Sequence, residues 1–304
     1  MRAACAWVAD RARHVQIDGA AIAVYARELE SAPVETTTGP DPAAGLADAD
    51  REARATFAIS LNAINFGSGW WPTIRKRAGH SGFLTIAAGV AERFRDGGAW
   101  TAAELAGIDS GELAAVLGQD PGHPLMAQYA ASLGDVGAHL LAEHDGSFKR
   151  LVDAAAGSAP ALADRLARWS AFADTSTYEG RSVPFFKRAQ LTAADVDRAG
   201  VARLTGLDRL TAFADNLVPH VLRVDGVLQL DPELREEIEA ERLLEHGSAA
   251  EVELRACAVH AVELLATATD SHLSPAALDE LLWNRGRGAR YKALPRPRCR
   301  TTAY

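Results

Sequence analysis

The residue of this chain best placed for chemistry is a carboxylate at a break in an apolar pattern. In LDRLTAFADNLVPHVLRVDG (207–226), Leu207, Leu210 and Phe213 recur at helical spacing and run into Asp215, and Pro219 then stops that helix or begins another. A carboxylate there is either a cap on the following helix or a reactive group in a partly dry pocket. The local pattern taken alone favours the cap. A second stretch, YEGRSVPFFKRAQ (178–190), sets Lys187 and Arg188 at the opening of a helix. Cations there can hold an anion with the help of the free amides of the first turn, although a solvated basic turn has the same spacing. Third, Asp279 and Trp283 are four residues apart on a helix and share a face, with Asn284 adjacent. An acid beside an indole suits a flat, amine-bearing ring, and it also arises by chance. Finally, the loop NFGSGWWP (65–72) carries Phe66, Trp70 and Trp71. Aromatics in a loop plug the edge of a core or wall a pocket; Phe66 reads as the plug and one tryptophan as the wall.

The elements that must position these groups read as helices. Alanine is frequent throughout, and apolar residues recur at intervals of three and four. The spacing predicts helices over about 2–14 and 20–29, then from a cap at Asp50 to about Asn62, and from Ser81-Gly82 through Phe94. Thr101 with Glu104, and Asp109 with Glu112, have capping-box spacing. Further helices are expected over 124–141 and 159–172, from Asp231-Pro232 to Glu245, from Ser248 through Thr267, and from Ser274-Pro275 onward. Residues 181–183 read as a short extended piece. VLRV-DG-VLQL (221–230) obeys the two-residue hairpin rule, yet it is read here as helix, hairpin and helix, with VLQL as a tight connector. Ala32 to Ala49, rich in Pro, Thr and Gly, reads as a mobile loop. The basic segment 285–304 has the composition of a disordered tail, with Tyr304 and Leu294 as possible docking points.

Composition narrows the function classes. The 304 residues are 48% hydrophobic, enough for one large domain. A formal charge of −8 speaks against non-specific binding to DNA or RNA, while a single nucleotide needs only a few local cations. Cys5, Cys257 and Cys299 form no CxxC pair, which argues against a disulfide scaffold and for a cytoplasmic protein. His123, His139 and His144 lack the HExxH signature and read as surface or capping residues rather than metal ligands. No apolar run reaches the length of a membrane span, and no glycine-rich phosphate loop is present.

Together, NFGSGWWP (65–72), HSGFLTIAAGVAERFRDG (80–97), YEGRSVPFFKRAQ (178–190), FADNLVPHVLRVDGVL (213–228), GSAAEVELRACAVHAVELL (247–265), LDELLWN (278–284) and RCRTTAY (298–304) resemble one family in its own order. That family is the queuosine salvage proteins, which are queuosine 5′-monophosphate N-glycosidases. The resemblance departs where Pro297 stands for a frequent histidine, where Asn284 stands for an acidic residue, and in lacking a histidine motif before Asn65. It implies an all-α fold similar to helix–hairpin–helix DNA glycosylases, in one domain over 1–304. It also implies hydrolysis of the bond between ribose 5-phosphate and queuine, a modified 7-deazaguanine, with no metal or other cofactor. In that reading Asp215 is the carboxylate beside the anomeric carbon. Phe213 and Trp283, with Trp71 or Trp70, surround the base; Asp279 pairs with its N–H groups; Asn216 and Asn284 also bind substrate. Lys187, then Arg188 and the tail arginines, meet the 5′-phosphate. Three other readings remain: an N-glycosidase for another 7-deazapurine or purine nucleotide, a non-catalytic helix–hairpin–helix module that binds nucleic acid, and a helical scaffold in which no pocket joins Asp215, Asp279 and Lys187.

Overall fold

The computed structural model describes residues 1–31, 48–271 and 273–304, so the loop expected at 32–49 lies almost wholly outside the described residues. Most of the remaining chain is helical, and many of its helices begin where side-chain oxygens can take the free amides of a first turn. Asp50 accepts from Ala53 at the start of Arg51–Ala63, Ser81 from Leu84 at the start of Gly82–Gly97, and Ser274 from Ala277 before Pro275–Arg285. Both capping boxes form, at Thr101–Glu104 and Asp109–Glu112. Asp231 caps Pro232–Glu239, Ser248 caps Ala249–Ala268, and His123 caps Pro124–His144 through its ring nitrogen. Among the described residues no helix is long and apolar enough to cross a membrane.

The all-α expectation needs correction in two places. Val15–Ile17 pairs antiparallel with Leu228–Leu230, and Thr175–Tyr178 pairs with Arg181–Pro184. The expected connector VLQL is therefore a strand: Leu228 and Leu230 are buried and Gln229 is exposed, the two-residue alternation of a half-covered sheet. Its partner is more than two hundred residues away, beyond the reach of a local hairpin rule. The first helix is also shorter than expected and ends at Ala9. The carboxylate of buried Glu253 accepts the backbone N–H groups of Arg13, His14 and Val15, which holds this segment out of the helix and feeds it into the strand.

Two large apolar clusters divide the core. One is built on Arg51–Ala63, Gly82–Gly97, Pro124–His144 and Lys187–Arg198; the other on Gly19–Ser31, Leu217–Val224, Ala249–Ala268 and Pro275–Arg285. A smaller third cluster holds Cys5, Val8, Phe185, Val252 and Ala256. Three successive residues just before Asp215 enter three different clusters: Ala212 the second, Phe213 the first and Ala214 the third. The carboxylate therefore stands on the seam of the molecule.

The C-terminal segment is docked rather than loose. Tyr291 and Tyr304 are buried, whereas Leu294 is exposed. The carbonyls of Tyr291, Pro295 and Pro297 accept from His220, Arg223 and Asn216, the Arg298 carbonyl accepts from the Leu244 amide, and the Tyr304 carbonyl accepts from the Gly67 amide. These are backbone contacts, which a reading of side-chain types does not reveal. They press the tail onto the NFGSG loop so closely that a Cβ on Gly69 would lie 2.5 Å from the Cys299 carbonyl oxygen. Gly69→Ala is accordingly expected to destabilise the fold by roughly 1–3 kcal/mol, as overpacking against backbone does. A thermal melt unchanged from the parent would show that the tail yields at this point.

Candidate active site

The segment 210–216 is not helical, contrary to the pattern of its apolar residues; only Leu207–Arg209 forms a single 3₁₀ turn. Outside a helix, most of its N–H and C=O groups need partners from elsewhere. Three helices supply them. Gln190 accepts from the Thr211 amide at 2.9 Å, Asp279 accepts from the Phe213 amide at 2.8 Å, and Arg255 donates to the Ala214 carbonyl at 3.0 Å. Each of the three side chains is buried. Their combined hold replaces the helical hydrogen bonds that periodicity predicts.

Asp215 follows and is half-buried. Its Oδ1 accepts from the amides of Leu217 and Val218 at 2.7 and 3.0 Å, so it caps Leu217–Val224. Among the described residues no donor bonds Oδ2. Cap and reactive carboxylate are thus compatible: one oxygen is anchored, and the other is available.

This carboxylate acts on two further ionisable groups. Asp279 is buried, and its carboxyl is held well above the usual carboxylate range, first by burial and then by the charge of Asp215. Lys187 is buried as well, and burial lowers its ammonium to about 8, while Asp215 and then Asp279 pull it back upward. The Lys187 Nζ donates to the Asn65 carbonyl at 3.1 Å, and its amide donates to Asp174 Oδ2 at 2.9 Å. The helix Lys187–Arg198 opens from Phe186, an aromatic residue held at φ 50. A bulky side chain at positive φ is strained, by about 1–3 kcal/mol, and persists only where its surroundings impose it. Here the Asp174 carbonyl accepts both the Phe185 and Phe186 amides and so fixes the bend that delivers Lys187.

The remaining residues divide between the cluster and its scaffold. Phe213 is buried beside Asp279; Trp283 and Asn284 are half-buried, with Phe83 edge-on to Trp283 at 6.4 Å and the Arg287 guanidinium 5.4 Å from the Trp283 ring centre. Arg296 in the tail is largely buried, and Asp215 is among the charges acting on it. Three expectations meet a different environment. Arg188 is buried in the core, donates to the carbonyls of Ala63 and Ala303, and lies 4.8 and 5.6 Å from the ring centres of Phe66 and Phe172. Its guanidinium is engaged by these carbonyls and rings. Asn216 gives its amide to the Pro297 carbonyl at 2.8 Å, an anchor for the tail. Trp71 packs over Gly82 and points its ring N–H at the Tyr129 hydroxyl, 3.4 Å away, closing the core edge; half-buried Trp70 instead lines a cavity.

Asp174 and Gln190 are scaffold residues that sequence reasoning missed, whereas Arg255 reads from sequence as half of a structural ion pair and pairs with Asp174. The available signal was three charged residues, Glu251, Glu253 and Arg255, in the opening turns of a largely apolar helix; all three are buried. Two surface cavities, of about 390 and 480 Å³, do not have Asp215, Asp279 or Lys187 among their lining residues. The larger one meets the scaffold at Asp174. The cluster itself approaches the surface through half-buried Asp215, Phe83, Trp283 and Asn284.

Comparison with known proteins finds relatives of the whole chain. The family described as queuosine salvage protein matches residues 46–304. A Sphaerobacter thermophilus protein named queuosine 5′-phosphate N-glycosylase/hydrolase is 34% identical over 266 residues, covering 84% of this chain and 82% of its own. Relatives of the same name from Dictyostelium discoideum and Bos taurus are 31% and 28% identical, covering 60% and 69% of this chain and 59% and 67% of theirs. With the family's match running through every element of the site, the chain belongs to the queuosine salvage protein family.

Proposed function

We propose that this chain is a hydrolase that cleaves the N-glycosidic bond of queuosine 5′-phosphate, releasing queuine and ribose 5-phosphate. The carrying observation is that Asp215 acts on the charge of Asp279 and Lys187, each distant from it in sequence, in a chain whose relatives bear that activity in their names. Loss of the base leaves positive charge on the ribose, and the anchored Asp215 presents its available oxygen to that charge, stabilising it or bonding to C1′. Water then completes the hydrolysis. A 7-deazapurine has carbon in place of N7, so the base cannot leave by protonation there, and contacts elsewhere on the ring become part of the chemistry. Asp279, whose protonated form is favoured by burial and by its neighbour, can donate a proton or a hydrogen bond to the base as well as accept one. Phe213 and Trp283 supply its stacking faces, and Lys187 meets the 5′-phosphate.

Two further features support finer readings. A helix (Leu217–Val224), a turn at Asp225-Gly226 with Gly226 at φ 81, and a second helix (Pro232–Glu239) support kinship with helix–hairpin–helix glycosylases, with the strand Leu228–Leu230 as the local difference. The net charge of −8 supports a small nucleotide in the cytoplasm, rather than a nucleic acid, as the partner. Incubation with queuosine 5′-monophosphate, queuosine and guanosine monophosphate, with mass analysis of the released base, tests the proposal. Queuine from the first substrate is the expected result. Guanine release would transfer the assignment to a purine nucleotide N-glycosidase, and no release beside salt-dependent oligonucleotide binding would favour the non-catalytic module.

A further inference from the structure

We propose that Arg255 is a positioning residue for this reaction, one buried guanidinium that sets the Asp215 segment and the Lys187 segment relative to each other; this rests on the function proposed above. Its Nε donates to the Ala214 carbonyl, the residue immediately before Asp215, at 3.0 Å. Its Nη2 donates to Asp174 Oδ2 at 2.7 Å, and that same oxygen accepts the Lys187 amide at 2.9 Å. The rigid fork of a guanidinium can make both bonds at fixed mutual angle, which a lysine ammonium cannot. The plane is itself held: the centres of the Phe185 and Tyr304 rings lie 4.0 and 4.5 Å from its carbon. Phe185 precedes the strained residue that delivers Lys187. Tyr304 accepts from Gly67, in the loop whose Asn65 carbonyl takes the Lys187 Nζ.

Stability alone is a weak reason for this arrangement. A buried ion pair is often replaceable by apolar side chains without loss, because desolvation offsets the attraction. Among the described residues, Asp174 Oδ1 and Arg255 Nη1 have no hydrogen-bond partner, and Glu251 stands at 3.8 Å from the latter, so the network is incompletely satisfied. What the arrangement does supply is direction, because the backbone on either side of the reacting groups is tied to a single planar cation. Glu253, two residues earlier, differs: its carboxylate holds the amides of Arg13, His14 and Val15 and the Tyr178 hydroxyl, none of them a member of the Asp215, Asp279 and Lys187 cluster.

The test is a double-mutant cycle in single-turnover assays on queuosine 5′-phosphate. Arg255→Lys keeps the buried charge and loses the fork; kcat is expected to fall about 100-fold with KM within about threefold, the scale of a small misplacement of reacting groups. If Arg255 acts through Asp215, the double variant Arg255→Lys/Asp215→Asn is no slower than Asp215→Asn alone. Losses that multiply, an unchanged kcat, or a change confined to KM would overturn the inference. Should Arg255→Lys lose its cooperative melt, Asp174→Asn enters the same cycle, with an expected loss of about tenfold that again fails to add to that of Asp215→Asn. A parent enzyme that releases no queuine overturns the proposed function and this inference with it, whereas an active parent with an unimpaired Arg255→Lys overturns this inference alone.

Discussion

Asp215→Asn is expected to bind queuosine 5′-phosphate about as well as the parent and to release queuine at least ~100-fold more slowly, the scale of removing one electrostatic stabiliser. The variant is informative because asparagine keeps the side-chain oxygen that Leu217 and Val218 use, and it caps a helix about as well as aspartate does. Only the charge is removed. A residue that served purely as a cap would therefore tolerate the change, and near-normal turnover with an unchanged melt would end the catalytic assignment. Asp215→Ala makes the complementary comparison: it adds the loss of the cap, about 1 kcal/mol of stability, to the loss of charge. Calorimetric binding, a thermal melt and a single-turnover assay on both variants separate the two contributions.

Lys187→Ala is expected to raise KM for the monophosphate about 30- to 100-fold, the scale of a lost hydrogen bond between charged groups, while leaving queuosine, which lacks the phosphate, nearly unaffected. Its pH dependence provides a second readout. Burial brings the ammonium down from 10.5 to about 8, so kcat/KM for the monophosphate should decline as pH rises through that value, and the decline should be absent from the variant. The sign for stability is opposite. The unfolded chain keeps this proton up to 10.5 and the folded chain only to about 8, so the group opposes folding fully below 8, and its penalty fades as pH rises through that window. Alkaline loss of activity by this route is therefore distinguishable from unfolding. Equal losses on both substrates would instead show that Lys187 acts by setting the electrostatics of Asp215 and Asp279.

Local chemistry carried much of the helical frame. Asp50, Ser81, Asp231 and Ser274 cap the helices their spacing implies, because a cap is a bond across only two or three residues. The strands at Val15–Ile17 and Leu228–Leu230 were not legible, since neither has enough residues to show a period and each needs the other to form. Phe213 shows the same limit from the opposite side. Its helical spacing with Leu207 and Leu210 is genuine, yet Gln190, Asp279 and Arg255 hold the backbone out of a helix. Long-range hydrogen bonds outweighed a local preference of a few tenths of a kcal/mol per residue.

By itself, the sequence determined where most of the helices begin, and its ordered stretches pointed to the queuosine salvage family. It also marked Asp215, Asp279 and Lys187 as groups of interest, leaving cap and reactive carboxylate as rival readings of the first. Only the tertiary structure decided that these readings are compatible. It divides the two oxygens of Asp215 between a helix start and an available face, and it brings Asp279 and Lys187 within electrostatic reach. The structure also separated two adjacent cations that look alike in sequence, placing Lys187 beside the carboxylates and engaging Arg188 with Ala63, Ala303, Phe66 and Phe172. The physical reason is reach: a cap is satisfied within one turn, whereas the environment of a buried charge is made by residues up to a hundred positions or more away, brought together only when the separate clusters of the core close on one seam.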